Sequence, residues 1–493
     1  MTFHRQTRDA DHALFTLTDR VPTAVDSTFR RLTRSADHSV LWMGCAAVCV
    51  LYGGRARRGA VRGLLSVAGA SALANAALKP LLPRRRPPAR TDPRFARRLV
   101  PIPRSSSFPS GHAASAAAFA TGVALESPAA GAMLAPLAAA VAYSRVHTGV
   151  HWPSDVLVGA AVGSAVALST RRWWAVRTAE PARVDTAADA PALPGGRGLL
   201  VVVNPQSGSS DTIAADLAEL LPQARIELLD PDTDLEEHLE QLVTTVRPRA
   251  LGVCGGDGTV ATGAAFAHRH DLPLAVFPGG TLNHFALDVG SGTTGDTARA
   301  VTGGLAARID LGAVTVTGPH GHRNRIFLNT ASLGGYPDSV RLRELWEPRI
   351  GKWPAAAAAM VAVLATASPI QARVDGIDTA LWLLFIGNGH YRPTDQVPMS
   401  RTALDAGTLD VRYLRADRRW SRTRLLFAAA TGTLGSTAVY QQRDVTSVSV
   451  RLGGPPVALA TDGEVSADGT AFEVKAVPTA LTVYRLPDAQ LAP

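Results

Sequence analysis

The sequence has few cysteines, and their arrangement would build neither a disulfide framework nor a metal centre. Cys45 and Cys49 lie in one apolar run, and Cys254 ends a predicted buried strand. We therefore expect three small buried thiols. A cleavable signal pattern is also missing, because the first apolar run starts only near Ser39.

Acidic residues are scarce in the first part of the chain. Residues 1–175 hold 21 Arg and one Lys against eight Asp or Glu, a balance of +14, so the remainder carries −5 of the total of +9. A basic protein invites a nucleic-acid hypothesis. Here the arginines cluster beside apolar runs, which favours anionic lipid or phosphate as the partner and argues against nucleic acid.

Long uninterrupted apolar runs are missing as well, yet five shorter runs lie in the basic part. They are rich in Ala and Gly, as in packed membrane bundles, and several fall below the ~20 residues of a lone spanning helix. The runs are 39–52, 63–82, 113–125, 129–143 and 156–168. We predict a membrane helix bundle over residues 37–175, preceded by an amphipathic segment, residues 1–36, that lies on the membrane surface.

The arginine clusters suggest an orientation for this bundle. With Arg55–Arg62 and Arg171 inside, the loop 83–108 and the turn 144–155 both lie outside, and everything after residue 175 is cytoplasmic. Abundant Arg and Ala with very little Lys suggests a GC-rich bacterium. We therefore expect a multi-pass protein of a bacterial inner membrane, with both polar loops facing outward.

The turn Ser144–Asp155 is the most polar feature between two apolar runs. Polar clusters at a membrane boundary are expensive and are candidate functional sites. Arg145 offers a planar fork of donors for phosphate oxygens, His151 in its neutral form can attack phosphorus, and Asp155 can hold the imidazole ring. The alternative is a basic turn that anchors two helices to lipid head groups.

Two upstream segments carry partners for such a site. Lys79 and Arg86, separated by six residues, precede Pro87, and Pro109–His112 (Pro-Ser-Gly-His) opens the next apolar helix. Backbone N–H groups at a helix N-terminus favour an anion. The three segments together resemble the type 2 phosphatidic-acid phosphatase superfamily, over roughly residues 75–160.

This resemblance implies a metal-independent phosphatase that acts on phosphatidic acid or a polyprenyl diphosphate. His151 would form a phosphohistidine, Asp155 would orient it, and His112 would be the general acid. The other motif positions would hold the phosphate: Lys79, Arg86, Ser110, Gly111 and Arg145. No cofactor is implied for this half of the chain.

A soluble region follows the bundle. Residues 176–197 are rich in Ala, Pro, Asp and Gly without apolar periodicity, which predicts a linker. From Gly198, β runs alternate with helical stretches, and from about residue 310 β runs dominate. We predict an α/β nucleotide-binding lobe over residues 198–310 and a mainly β lipid-substrate lobe over residues 311–493.

Three predicted strands of the α/β lobe end in small polar loops. These loops are Asn204–Gly208, Cys254–Thr259 and Phe277–Asn283. Ligands bind at the carboxyl ends of parallel strands, and Gly-rich turns let the backbone approach phosphate. With Leu404–Asp410 and Thr461–Glu464, they resemble the diacylglycerol kinase catalytic family, which includes sphingosine kinases, over residues 198–488.

This second resemblance implies a lipid kinase that uses ATP and Mg²⁺. Asp462 would take the proton from the lipid hydroxyl, with Glu464 nearby, and Asp405 and Asp410 would lie at or near a magnesium site. The residues at the strand ends would bind ATP: Asn204, Ser207, Gly256, Asp257, Gly258, Thr259, Gly280, Thr281 and Asn283.

The sequence as a whole predicts a multi-domain chain, an all-α membrane helix bundle followed by a soluble two-lobed α/β plus β-sandwich lipid-kinase fold. We expect a bifunctional lipid enzyme whose kinase acts on diacylglycerol, with membrane lipids and ATP as partners. Many family members have Asn-Asp at Asn283-His284 and paired Asp at Asp405-Ala406. The alternatives are a non-catalytic lipid- or nucleotide-binding module that regulates the phosphatase, and a kinase of a soluble substrate.

Overall fold

The computed structural model divides into two compact units, Met1–Arg177 and Thr178–Pro493. The structure describes residues 10–16, 23–87, 105–176, 181–207, 210–230, 233–280, 283–319, 321–351, 355, 358–359, 362–363 and 368–490. The first unit is helical and the second combines helices with strands. The predicted fold class is confirmed.

The first unit is a bundle of helices in its described residues. Residues 10–16 are helical. The longer helices are α1 (Asp26–Ser35), α2 (Val40–Tyr52), α3 (Gly54–Ala72, continued by Leu73–Leu78 and Lys79–Leu81), α4 (Gly111–Glu126), α5 (Pro128–His147) and α6 (Pro153–Ser169). All five predicted apolar runs form helices, and their buried Ala, Val, Phe and Trp side chains make one core.

Fewer helices than predicted meet the length of a membrane span. Among the described residues, Gly54–Leu81, Pro128–His147 and Pro153–Arg172 are long and apolar enough to cross a membrane. The bent pair Asp26–Ser35 and Asp37–Tyr52 makes a fourth if it is one span. Helix α4, with 16 residues, is shorter than these and lies largely buried among its neighbours.

Helices α4 and α6 pack backbone against backbone. A β-carbon on Gly163 would collide with the carbonyl oxygen of Ala114, and one on Gly159 would collide with that of Ser110. Small residues allow this close approach in membrane bundles. The contact brings the start of α6 to the start of α4, and the Ser110 N–H donates to the Asp155 carbonyl at 2.9 Å.

The sequence predicts an amphipathic helix on the membrane surface over residues 1–36, and in the structure α1 packs against α5. Helix α1 is amphipathic, but its Asp26 and Thr33 are buried. Asp26 Oδ1 lies 2.8 Å from His147 Nε2, and Thr33 accepts a hydrogen bond from Arg145. Periodicity predicts which face is apolar, but it does not predict these polar partners on α5.

The second unit begins with a parallel sheet in the order β3 (Arg225–Leu228), β2 (Leu199–Val203), β4 (Ala250–Gly255) and β5 (Leu274–Pro278). Strand β18 (Ala471–Tyr484) extends this sheet beyond β5. The elements of this lobe are β1 (Ala187–Asp189), β2 (Leu199–Val203), α7 (Ser210–Leu220), β3 (Arg225–Leu228), α8 (Leu235–Val246), β4 (Ala250–Gly255), α9 (Asp257–Arg269), β5 (Leu274–Pro278), α10 (His284–Val289) and α11 (Thr294–Gly303). Strands β2 and β4 are buried along their whole length, as expected for apolar runs in a parallel sheet.

The rest of the second unit is mainly antiparallel and has its own core of Val, Leu, Ile and Phe. Its elements are β6 (Leu305–Gly318), β7 (Gly321–Phe327), β8 (Thr330–Gly334), α12 (Gly335–Ile350), β9 (Ile370–Val374), β10 (Ile377–Asn388), β11 (Tyr391–Arg392), β12 (Ser400–Arg401), β13 (Leu409–Arg415), α13 (Ser421–Thr431), β14 (Tyr440–Val445), β15 (Ser447–Leu452), β16 (Val457–Thr461), β17 (Glu464–Gly469) and β18 (Ala471–Tyr484). Strand β6 crosses the predicted lobe boundary at residue 310, and it pairs with β18 through both lobes.

The structure corrects the predicted linker, residues 176–197, over residues 181–197. Ala182 and Leu193 are buried in the core of the second unit, and β1 pairs with β6. The Asp405 carboxylate accepts hydrogen bonds from the backbone of Asp185 and Thr186. Backbone hydrogen bonds and a few apolar side chains hold the segment to the second unit, although its sequence lacks apolar periodicity.

Candidate phosphatase and kinase sites

The three phosphatase motifs come together at one end of the helical unit. His151 is buried in the turn between α5 and α6, and its Nδ1 lies 3.5 Å from Oδ2 of Asp155. Its other ring nitrogen, Nε2, lies 3.4 Å from Arg86 Nη1. One nitrogen therefore faces a carboxylate and the other faces a cation that can hold an anion.

Asp155 is fixed by donors that the motif does not include. Arg84 Nη1 lies 2.7 Å from its Oδ1, while Ser107 and the Trp152 N–H donate to its Oδ2. Arg84 also binds Asp11, whose carboxylate accepts from the Ser154 N–H and hydroxyl. Sequence reasoning missed Arg84, although its place two residues before Arg86 in an arginine run was a signal.

Burial sets the protonation of His151. Removal from water lowers the pKa of His151 to about 4; Arg145 and Arg86 act in the same direction, and Asp155 opposes them. The ring is therefore neutral at neutral pH. A neutral imidazole has a free nitrogen lone pair, which a nucleophile for phosphorus requires.

The predicted phosphate-binding residues surround the same place. Lys79, Arg86 and Arg145 lie close enough for their positive charges to repel one another. Within the described residues, the Nε atoms of both arginines are buried without a hydrogen-bond partner. A β-carbon on Gly111 would lie 3.7 Å from Lys79 Nζ. Ser110 caps α4 by accepting from Ala113 N. Clustered cations and unpaired donors at a helix N-terminus suit a phosphate group.

His112 lies on the first turn of α4 and has a partner that the motif does not predict. Its Nε2 lies 2.8 Å from Oδ1 of Asp37, a residue between α1 and α2. No periodicity or motif in the sequence pointed to Asp37, because its role depends on how the N-terminal segment folds back on the bundle.

The opposite end of the helical unit holds a second buried ion pair. Arg62 Nε lies 2.8 Å from Glu126 Oε1, and both side chains are buried. The same guanidinium donates to Thr170 after α6 and to the carbonyl of Trp174. The chain therefore leaves the bundle at the end away from His151.

In the second unit, the three predicted strand-end loops meet at the carboxyl edge of the parallel sheet. The Asn204 amide donates to Thr259 Oγ1 at 3.0 Å, and the Ser207 hydroxyl donates to the Asn204 carbonyl. A β-carbon on Gly280 would lie 2.7 Å from Gly256 Cα. The two glycine-rich loops therefore pack against one another at this edge, and residues without side chains let a phosphate chain approach the backbone.

The remaining predicted nucleotide residues lie beside this edge. Asp257 begins α9 and accepts from the Phe285 N–H at 3.4 Å. Asn283 has a left-handed backbone, and its amide closes a ring of hydrogen bonds with Gly280. A β-carbon on Gly258 would collide with the Glu464 carboxylate, so β17 reaches the Gly-rich turn. Thr281 lies outside the described residues.

Asp462 is held firmly between β16 and β17. Its carboxylate accepts from the backbone N–H groups of Leu328, Asn329 and Thr330 at 2.7–3.0 Å. Burial raises the pKa of Asp462, while these amides and Arg401 oppose the rise. Arg401, which sequence reasoning missed, also binds Asn329 Oδ1 and Asp288.

The two predicted metal ligands have different partners. Asp405 binds the backbone of Asp185 and Thr186, as described above, whereas Asp410 is buried in an ion pair with Arg412 at 2.6 Å. Within the described residues, Asp410 also joins His390 and Asp444 in a group with ligand atoms within 4.8 Å of one another. A cation at Asp410 would compete with the Arg412 guanidinium. The placement of Asp405 and Asp410 at or near a magnesium site stays a prediction.

The helical unit and the α/β lobe each hold one candidate site, and each part of the chain matches a different family model. Residues 60–179 match the PAP2 superfamily, and residues 198–314 match the diacylglycerol kinase catalytic domain. The first match lies in the helical unit and the second in the α/β lobe, and with the relatives below they support an enzyme with lipid phosphatase and lipid kinase activity. Both predicted resemblances are confirmed.

Known proteins resemble each half. Two diacylglycerol kinases from Mycobacterium tuberculosis, strains CDC 1551 / Oshkosh and H37Rv, are 27% identical over 274 residues, which is 53% of this chain and 84% of theirs. A diacylglycerol kinase structure from Bacillus anthracis str. Sterne is 18% identical over 59% of this chain and 97% of that chain, with a TM-score of 0.42. The PAP2-type phosphatidylglycerolphosphate phosphatase from Bacillus subtilis is 25% identical over 33% of this chain and 83% of that chain, with a TM-score of 0.27.

Proposed function

We propose that the protein is a bifunctional membrane lipid enzyme. The helical unit hydrolyses a lipid phosphate, either phosphatidic acid or a polyprenyl diphosphate, by way of a phosphohistidine. The second unit transfers the γ-phosphate of ATP to a lipid alcohol, with diacylglycerol as the substrate. The buried, neutral His151 between Asp155 and Arg86 is the observation that carries the phosphatase half.

In the proposed phosphatase reaction, Nε2 of His151 attacks phosphorus while Asp155 stabilises the positive charge that develops on the ring. Arg86, Arg145 and Lys79 hold the phosphate oxygens. His112 gives a proton to the leaving oxygen as the P–O bond breaks. Water then cleaves the P–N bond and returns a proton to His112.

In the proposed kinase reaction, MgATP binds across the three strand-end loops, with its phosphates against the glycines near Gly256 and Gly280. Asp462 and Glu464 are the carboxylates nearest this edge among the predicted catalytic residues. Three amide donors leave Asp462 one position for a lipid hydroxyl, so it is the proposed base. The magnesium ion enters with the nucleotide as part of the substrate.

The two activities would work on opposite faces of a bacterial inner membrane. The chain leaves the helical unit beside Trp174, at the end opposite to His151. If the phosphatase site opens outward, the kinase unit lies in the cytoplasm, where ATP is available. This separation would prevent a futile cycle of phosphorylation and hydrolysis.

A paired activity assay tests the proposal. Wild type, His151→Ala and Asp257→Ala would be compared in detergent micelles, first on phosphatidic acid without ATP and then on diacylglycerol with MgATP. We expect each substitution to abolish one activity and leave the other within about twofold, because the two sites lie in separate units. Loss of both activities in either variant would contradict two independent active sites.

The engagement of Asp405 and Asp410 by other partners favours one alternative, a kinase-like unit that binds lipid or nucleotide and regulates the phosphatase. In that case ATP would change phosphatase activity without any transfer of label to diacylglycerol, sphingoid bases or polyprenols. The same preparations with γ-labelled ATP distinguish the two functions.

A further inference from the structure

Asp37 lies in a strained turn that directs it at the phosphatase site. The turn between α1 and α2 bends the helix pair by 63°, and His38 and Ser39 both have left-handed backbone angles, with φ of 53° and 63°. Two successive non-glycine residues in this region cost free energy and need support from their surroundings. Such strain often accompanies a functional position.

The segment before the turn contacts two predicted site residues at once. Thr33 accepts from Arg145, and Asp37 Oδ1 lies 2.8 Å from Nε2 of His112. The side chain of His112 is 22% exposed and that of Asp37 is 48% exposed. The other charged groups that act on His112 are Arg145 and Lys79, both positive. Burial, Arg145 and Lys79 lower the pKa of His112, and Asp37 is the negative charge that opposes them and favours the protonated ring.

We propose that Asp37 is a positioning residue for the phosphatase reaction, acting through His112; this rests on the proposed phosphatase function. Asp37 accepts the hydrogen bond of Nε2–H, so Nδ1 is left to address the leaving group. In the first step Nδ1–H protonates the leaving oxygen as the P–O bond breaks. In the second step Nδ1 accepts a proton from the water that cleaves the phosphohistidine.

If Asp37 acts through His112, the loss of activity on removing Asp37 depends on the leaving group of the substrate. An alkoxide leaving group, as in phosphatidic acid, needs the proton from His112, whereas the stabilised phenolate of p-nitrophenyl phosphate does not. A residue that only held the fold would affect both substrates alike. A residue that only competed with the substrate phosphate for His112 would weaken the binding of both substrates, and its removal would lower KM for both.

The test compares Asp37→Asn with wild type in full-length protein in detergent micelles. We expect kcat on phosphatidic acid to fall roughly 10- to 100-fold with little change in KM, the loss typical of an outer partner of a functional histidine. The rate on p-nitrophenyl phosphate should stay within about threefold of wild type. Asp37→Glu should recover part of the lost activity, because it keeps the carboxylate.

Asp26→Asn is the matched control. Asp26 pairs with His147 at the same 2.8 Å and from the same segment, but His147 belongs to none of the motifs. Any loss in this control should be equal on the two substrates. If Asp37→Asn lost the same activity on phosphatidic acid and on p-nitrophenyl phosphate, the positioning role would be wrong. A lower KM with unchanged kcat would also overturn it.

His112→Ala separates this inference from the proposed function. If His112→Ala shows the leaving-group pattern and Asp37→Asn does not, His112 is the acid and Asp37 is not its partner. If His112→Ala loses the same activity on both substrates, His112 is not the general acid and the inference about Asp37 is wrong as well. If wild type hydrolyses neither substrate, the phosphatase proposal itself fails.

Discussion

Burial governs the chemistry of single residues in the helical unit. His151 is 2% exposed. Removing its charged form from water costs more free energy than the hydrogen bond and attraction to Asp155 provide. The imidazole is therefore kept neutral well below the pH at which an exposed histidine becomes charged. The arginines that would hold a phosphate add to this effect, so binding and activation of the nucleophile share the same residues.

A pH profile checks this state of His151. We expect phosphatase kcat/KM to fall on the acidic side with a midpoint near pH 4, because the folded-state pKa of His151 is lowered to about 4. The neutral, reactive form is present above that pH and is lost as pH falls through it. The pKa of the substrate phosphate should be measured in the same micelles, and the kcat/KM profile should be corrected for it. A midpoint near 6.5, the value of an exposed histidine, would contradict the buried, neutral ring.

A second residue-scale prediction concerns Arg84. Arg84→Gln removes the charged partner of the buried Asp155 and should lower phosphatase kcat by roughly 10-fold or more, because an orienting carboxylate without its donors relaxes away from the ring. Arg85→Gln is the control, since its neighbouring side chain is exposed. Equal activities of the two variants would show that Arg84 does not hold Asp155.

The motif residues of both sites could be predicted from the sequence because their spacing is local and distinctive. Arg84, Asp11 and Asp37 could not, because each contacts the site from a segment whose path depends on tertiary packing. The resemblance to the kinase family places Asp405 and Asp410 at or near a metal site. Their hydrogen-bond partners, Thr186 and Arg412 among them, became visible only in the folded chain.

At the scale of elements, glycines set the distance between helices. Gly159 and Gly163 let α6 lie directly on the backbone of α4, and this contact joins the His112 segment to the Asp155 segment. The sequence predicted both helices from their apolar runs. It did not predict which face of α6 would meet α4, because the runs are apolar on nearly every side.

Gly163→Ala tests this contact. The added methyl group would collide with the Ala114 carbonyl, so we expect the helical unit to lose about 1–3 kcal/mol of stability and phosphatase activity to be lost at a lower temperature. Gly44→Ala is the control, because no heavy atom lies within 4 Å of its added β-carbon. Kinase activity in the same samples should keep its thermal midpoint. Unchanged phosphatase stability in Gly163→Ala would mean that α4 and α6 lie too far apart for the added methyl group to reach the Ala114 carbonyl.

At the scale of the whole molecule, the second unit starts earlier than the sequence predicted. Residues 182–193 lack the periodicity of a helix or strand, but Ala182 and Leu193 fill the core and β1 extends the sheet. Strand β18 pairs with β6 and reaches β5, so the α/β and β lobes share one sheet. The two lobes were predictable from their β patterns. The pairing of β18 with both lobes was not, because its partner strands lie far away in the sequence.

Two soluble fragments test the role of the early segment. The fragment 198–493 lacks the buried Leu193 and the backbone donors for Asp405, so its thermal midpoint should be lower than that of fragment 178–493 by at least about 5 °C. Differential scanning fluorimetry measures both midpoints. Equal midpoints would restore the linker interpretation of residues 176–197.

Arg62 closes the end of the bundle away from His151 and fixes where the chain departs. Under the proposed orientation, an isotope transferred from ATP enters lipid only in the cytoplasmic leaflet and is released as free phosphate only after that lipid has crossed the bilayer. In sealed vesicles, the delay between the two events would then equal the time for transbilayer movement. A cycle of phosphorylation and hydrolysis of one lipid could then run no faster than that lipid changes leaflets, which is how the separation keeps the two activities from cancelling each other.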